Sequence, residues 1–378
     1  MSTLSTMNAQ EKQIVFLGTE IGRGHPFYLD GLCEAYATKS GREAMRANVF
    51  GISRGICLRA WKSVRASYEM AGSGQFASSI YRRLRGQPNY DSDSWKIRIL
   101  GRDVRKWARD KRVVVVDHPL LAGALQGHPA IWYMHGEMAV PRESAVRSAA
   151  RIFVPSEDSA NLFASLGIER SRLCTTGLCV ERSLRDQADK CLPERHRRYE
   201  SNGPLTAAFF SSGAEPVSHV KTMAAAAISF ARAGHRSLVF AARGGRLERA
   251  EGLSSQPRLE VISFSSRSNL DQRTASEFPT MDVLVSPPHE RSTWAVGLGL
   301  PIFLVGPDIG PFAPLNRAML FRKEVAAEID LERAERFPEM IAGLRSRGRL
   351  VEMSRNGWGP PIDGFACAAR MLCEEAKR

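Results

Sequence analysis

The chain has 378 residues, a formal net charge of +13, 43% hydrophobic and 25% charged residues, which fits a soluble globular protein with room for two domains, each with its own core. No apolar run reaches the ~18 residues of a membrane span, and the strongest, Arg112-Val-Val-Val-Val-Asp117, is strand-sized. Seven scattered cysteines without CxxC spacing argue against a structural zinc site and for a reducing compartment.

The first dozen residues are polar and lack the basic-then-apolar order of a signal peptide, so the expected address is the cytoplasm. Gln13-Ile-Val-Phe-Leu-Gly18 reads as a first parallel strand. It runs into the loop Gly18-Thr-Glu-Ile-Gly-Arg-Gly-His-Pro26, and a helix is predicted from Pro26 to Ala37, where a proline in the first turn loses no hydrogen bond. The spacing Gly22-x-Gly24-x-x-Phe27 fails the dinucleotide fingerprint, so the loop is read as lining a cleft, not binding NAD. A second strand is expected at Val49–Ser53.

From Arg54 to Arg112 there are fifteen Lys or Arg against five Asp or Glu, a net of +10, with Trp61, Tyr68, Tyr81, Trp95 and Trp107 interleaved. Two or three helices are predicted there. Their charge suits anionic lipid headgroups or a phosphorylated substrate; equally, it fits a solvated helical face with packed stems. No zinc finger, RNA-binding signature or helix-turn-helix pattern accompanies the segment, so no nucleic-acid partner is expected.

Strands follow at Val113–Val116, Ala130–Met134 and Arg151–Pro155, then a helix at Ser159–Leu166 stopped by Gly167. Residues 186–204 are charged and polar and read as an interdomain linker. A second alternation begins with the strand Leu205–Phe210, the turn Ser211-Ser-Gly213 and a helix at Val217–Ala233. Strands Ser237–Ala242, Leu259–Phe264, Met281–Ser286 and Pro301–Val305 come next, and Asp363–Lys377 has helical apolar spacing. The expected fold is therefore α/β, two Rossmann-like parallel-sheet domains facing across a cleft. The turn Pro287-Pro-His-Glu-Arg-Ser-Thr293, before a short helix ending at Gly299, reads as a diphosphate cradle. Backbone N–H groups and the Ser292 and Thr293 hydroxyls would converge there.

Five stretches, in order, carry a family resemblance: Gly22-Arg-Gly-His25, Val116-Asp-His-Pro-Leu120, His135-Gly-Glu-Met-Ala-Val-Pro141, Pro155–Gly177, and Asp282–Pro301 with Asn316. Together they resemble GT-B glycosyltransferases, in particular the monogalactosyldiacylglycerol synthases and the bacterial enzyme that adds N-acetylglucosamine to lipid I. The likeness runs from about residue 13 to 328. Two positions depart from it: the glutamate that grips the nucleotide ribose falls on Trp294, and the glutamine of Gln-x-x-Asn falls on Ala313. Glu290 or His289 is the candidate replacement for the ribose contact.

The resemblance implies an acceptor-binding domain at 1–185, including the basic segment 54–112, a donor domain at 205–355, and a C-terminal helical segment at 356–378. It implies transfer of a sugar from a nucleotide-sugar donor to a lipid-linked or other anionic acceptor, with inversion and no cofactor or metal. The protein would attach peripherally to an anionic membrane surface, at the inner face of the cell membrane. His25 is a candidate base for the acceptor hydroxyl, with Glu137 its rival; His25 is equally readable as a capping residue. Gly22, Gly24, His118 and His135 would line the acceptor cleft, His118 and His135 because they follow predicted strands. Ser211, Ser212, Gly213, Arg243, Phe264, His289, Glu290, Ser292, Thr293 and Asn316 would bind the donor, Arg243 by neutralising diphosphate charge. Two other readings stay open: a non-catalytic lipid- or glycan-binding protein, and a sugar-nucleotide epimerase.

Overall fold

The computed structural model describes residues 13–21, 24–72, 89–213 and 215–377. Two six-stranded sheets, parallel throughout, account for the strands. The first has the order β2-β1-β3-β4-β5-β6, from β1 (Ile14–Gly18), β2 (Met45–Asn48), β3 (Val113–Val116), β4 (Ile131–Met134), β5 (Arg151–Val154) and β6 (Leu173–Thr175). The second has the order β12-β11-β10-β7-β8-β9. Its strands are β7 (Thr206–Phe210), β8 (Arg236–Ala242), β9 (Leu259–Phe264), β10 (Val283–Ser286), β11 (Ile302–Val305) and β12 (Ala326–Ile329).

Sheets of this kind bury both faces under helices, which is why their strands read as continuous apolar runs. Val113–Val116, Ile131–Met134 and Val283–Ser286 are buried at every position. Each sheet has a packed cluster on either face. The strand order reverses beside β1 in one sheet and beside β7 in the other. In open α/β sheets that reversal opens a crevice at the carboxyl ends of the strands.

Two segments differ from the sequence reading. Val49–Ile52 is a short helix, not a strand, because the Asn48 side chain accepts the Gly51 N–H at 2.8 Å and turns the backbone; the strand lies before it at Met45–Asn48. Much of the charged segment 186–204 is the helix Ala188–Glu200. There Arg195 is fully buried and donates to the carbonyls of Met281, Leu298 and Gly299 at 2.9–3.0 Å, while Arg198 pairs with buried Asp282 at 2.7 Å. The chain therefore leaves the first sheet on a helix welded to the second. The expected C-terminal helix is present as Gly364–Lys377; it returns to the helix Gly24–Ser40, placing Phe365, Ala368, Ala369 and Leu372 in the core beneath the first sheet. A Cβ on Gly31 would come within 2.4 Å of the Phe365 ring, so this helix pair needs glycine at that point.

The basic segment contributes the helices Gly55–Gly72 and Trp95–Ala108. Trp61 is buried between them and donates its indole N–H to the Leu100 carbonyl at 3.1 Å. Trp107 also packs on the core, whereas Trp95 is 67% exposed. Tyr81 lies outside the described residues. No helix among the described residues is long and apolar enough to cross a membrane.

Candidate active site in the cleft

The carboxyl ends of β7, β8 and β9 face the first turns of the helix Gly24–Ser40 across a cleft of ≈ 610 Å³. That size suits a small organic ligand. Its walls are aromatic and cationic. Phe210 stacks on Phe240 with centroids 4.3 Å apart, and the Arg291 guanidinium lies 4.4 Å above Phe210. The Arg267 guanidinium lies 4.1 Å above Phe27, joining the second half of the chain to the first. Such placements hold a cation while leaving part of its fork available to an anion. Arg243 stands exposed at the edge. The Ser211 and Ser212 hydroxyls, in the turn after β7, are buried and lack a hydrogen-bond partner among the described residues. Gly213 completes this turn, exposed.

Of the donor candidates, Ser211, Arg243, Phe264 and Glu290 line this cleft. Ser292 and Thr293 do not form the expected cradle. The helix they open is only six residues long, and its first N–H groups are already engaged: Ser292 donates to His289, Thr293 to Glu290 and Trp294 to Arg291, at 2.9–3.3 Å. Both residues are 1% exposed, and the Thr293 hydroxyl donates to the Glu290 carbonyl at 2.9 Å. Pro287 and Pro288, which open the turn, carry no N–H to offer, and the His289 N–H donates to the Pro287 carbonyl at 2.9 Å. The Ser292 hydroxyl is buried and has no hydrogen-bond partner among the described residues. Burial pushes the His289 pKa down, with the Glu290 carboxylate opposing it.

Behind the cleft, a second group of residues joins the two halves. Gly136 and Glu137 follow β4, and the Tyr28 ring lies so close that a Cβ on Gly136 would sit 1.9 Å from it. The Asn316 amide donates both to Glu137 Oε2 and to the Pro288 carbonyl, each at 3.1 Å, tying the β4 loop to the loop after β10. Burial pushes the Glu137 carboxyl up to about 7; the Glu290 charge adds to this, and Asn316 with the nearby Tyr28 phenol offsets only part. Burial acts on Glu290 as well, but Arg291, in an ion pair at 2.8 Å, and His289 outweigh it and hold that carboxyl below its ordinary value. The two carboxyls thus titrate apart, the condition for one to move a proton beside the other's fixed charge.

His118 and His135 both make hydrogen bonds within the protein. His118 Nδ1 accepts the Leu120 N–H at 3.0 Å and caps the helix Pro119–Ala124. His135 is 2% exposed, bonded to the Tyr133 hydroxyl and the Ala139 carbonyl and packed edge-on against Phe163. Gly22 lies outside the described residues. Gly24 and His25 occupy the first turn of the helix Gly24–Ser40, and their side chains are not described.

The sequence reading missed Asp117. It follows β3 directly, is 1% exposed, has one oxygen without a partner among the described residues, and is pushed up to about 7 by burial. Its signal was the strand–Asp–His–Pro junction, where attention went to the histidine. Also missed were Tyr28, Arg267 and Arg291. Among the described residues no group of His, Cys, Asp and Glu converges to hold a metal ion.

No protein-family model matches the chain, and no curated protein matches it by sequence. Solved structures do share its architecture. The UDP-GlcNAc 2-epimerase of Neisseria meningitidis bound to UDP-GlcNAc superposes with a TM-score of 0.57 at 10% identity, over 96% of this chain and 98% of that one. S. aureus MnaA, in a co-structure with UDP, gives 0.59 at 12% identity, over 97% and 96%. The glycotransferase of kitacinnamycin gives 0.55 at 13% identity, over 97% and 99%. The chain is an α/β protein of the GT-B fold. At these identities the likeness is one of fold, and function has to be argued from the site.

Proposed function

We propose that the protein transfers a sugar from a nucleotide-sugar donor to a hydroxyl of a lipid-linked or otherwise anionic acceptor. The observation that carries this reading is Glu137, a buried carboxyl poised near neutrality where the two halves meet, behind a cleft of aromatic faces and arginines. In the proposed reaction the acceptor oxygen attacks the anomeric carbon as the carbon–oxygen bond to the diphosphate breaks. The hydroxyl proton passes to the Glu137 carboxylate, and the bonding electrons leave on the diphosphate. Arg243, Arg267, Arg291, Ser211 and Ser212 supply the charge and hydroxyl donors that stabilise the leaving group.

The ordered motifs that resemble those of the galactolipid synthases and the lipid I enzyme support a lipid-linked acceptor. The outer face of the two basic helices supports peripheral attachment at the cytoplasmic side of a membrane. Arg59, Lys62, Lys96 and Lys106 are exposed on these helices, as is Trp95, with Lys96 over its ring. Cations and an interfacial aromatic favour an anionic headgroup layer.

Asp117 favours a second reading. Two carboxyls near neutrality at neighbouring strand ends suit removal and return of a sugar proton, an epimerisation needing no acceptor. Structures of UDP-GlcNAc 2-epimerases share the fold. One experiment separates the readings: incubation with radiolabelled UDP-GlcNAc, and with UDP-glucose and UDP-galactose, with and without anionic lipid extract. Label entering the lipid phase with release of UDP supports transfer. A new sugar nucleotide formed without lipid supports epimerisation, and an unchanged donor in both arms overturns both.

A further inference from the structure

A second concavity, of ≈ 1120 Å³, lies along the helix Val217–Arg232 and shares no lining residue with the cleft. Its floor is apolar: Val217, Ala224, Ala225 and Ile228 recur there at helical spacing. Both ends of this 16-residue helix line it, so the trough runs roughly 24 Å. Val217 in the floor is 53% exposed and Leu331, which also lines the trough, 51%. The sheet order places β8 and β9 on one side of β7 and β10 to β12 on the other. The connection after β8 and the helices after β12, Leu331–Ala334 and Phe337–Ser346, therefore flank Val217–Arg232 on opposite sides. On one edge a Cβ on Gly252 would meet Ile228 at 3.2 Å; on the other the Ser229 hydroxyl donates to the Ala334 carbonyl at 3.0 Å. The first wall presents Arg246 and Arg249, the second Glu335 and Glu339. All four are exposed, and none forms an ion pair among the described residues.

An apolar floor between walls of opposite sign narrows the occupant. A polyanion or an anionic lipid layer would meet the two glutamates, and the same trough on a second copy would meet wall against wall with the floors held apart. A helix suits it: alanines in the floor let a second helix axis approach closely, and a helix can present an apolar stripe with different charges along its two edges. We propose that this trough docks an amphipathic helix of a partner protein. Its apolar stripe lies on Val217, Ala224, Ala225 and Ile228, its acidic edge faces Arg246 and Arg249, and its basic edge faces Glu335 and Glu339. Turning such a helix end for end would exchange its edges, so the charge pattern also fixes the direction in which it lies. The inference does not depend on the nucleotide-sugar reading.

The test uses three labelled helical peptides of about four turns, each with the same leucine stripe, titrated with the full chain by fluorescence anisotropy. One carries glutamate along one edge and lysine along the other, one glutamate on both, and one lysine on both. The mixed peptide should bind about tenfold more tightly than either companion, the size expected when a few exposed ion pairs give way to like-charge contacts. Arg246→Glu with Arg249→Glu makes the trough acidic on both sides and should move the preference to the all-lysine peptide. Glu335→Lys with Glu339→Lys should move it to the all-glutamate peptide. Each gain of binding also shows that the variant is folded, and either variant decides the question if the other does not fold. Equal affinity for the three peptides, a preference that neither reversal moves, or no binding at all would overturn the proposal. A wild-type dimer in sedimentation that either reversal dissociates would give the trough to a second copy and overturn it too.

Discussion

Glu137 is a glutamate whose burial raises its pKa from 4.5 to about 7, and Asp117 is raised to about the same value. A carboxyl raised in the folded state contributes stability that is fully present below its unfolded value and is lost as pH rises through its folded value. The denaturation midpoint should therefore fall between about pH 4.5 and 7, and Glu137→Gln should flatten that slope in urea titrations at stepped pH. If Glu137 is the base, activity rises with pH through about 7, and Glu137→Gln lowers kcat by about 100–10,000-fold and removes that limb from the pH–rate profile. A variant retaining both the rate and the limb would remove Glu137 from the mechanism. The sequence pointed to Glu137 through the polar cluster that follows a strand. It could not show that Asn316, 179 positions away, would close on it, nor that Thr293 would turn inward. Partners so distant are chosen by tertiary packing, which no local pattern records.

At the scale of elements, apolar runs were the legible part. Val113–Val116, Thr206–Phe210 and Val283–Ser286 could be read because a strand covered on both faces has little room for polar residues. Met45–Asn48 was not legible, since this edge strand is half exposed and carries Arg46 and Asn48. Ala326–Ile329 escaped for the same reason: it too is an edge strand, and Glu328 interrupts its pattern. The β4 loop depends on Gly136 as much as on Glu137. Gly136→Ala should drive a methyl group into the Tyr28 ring and cost about 1–3 kcal/mol of stability, read as a lower urea midpoint. An unchanged midpoint would mean that Tyr28 moves aside freely.

At the scale of the molecule, the two parallel sheets and the cleft at their strand ends followed from the alternation of strands and helices. The connections did not. Charge suggested an interdomain linker, and most of that segment is a helix whose buried arginine clamps onto the second sheet. The basic face of the first half gives a test of membrane attachment by co-sedimentation with phosphatidylglycerol vesicles. Each exposed cation near a lipid surface contributes about 1 kcal/mol, so replacing Arg59, Lys62 and Lys96 together by glutamate should reduce binding more than 100-fold. Added salt should weaken the wild type in the same direction. Binding equally strong to neutral vesicles would refute the electrostatic account.

The return of the helix Gly364–Lys377 to the first sheet has a consequence for how the chain is made. On the ribosome, residues up to Thr175 emerge with all six strands of the first sheet, but the helix that covers Phe27 and Tyr36 is still to be translated. The second sheet must be synthesised in full before the first can finish its core. The half that starts first is thus the last to be completed, and until then its uncovered apolar face is a natural client for a chaperone.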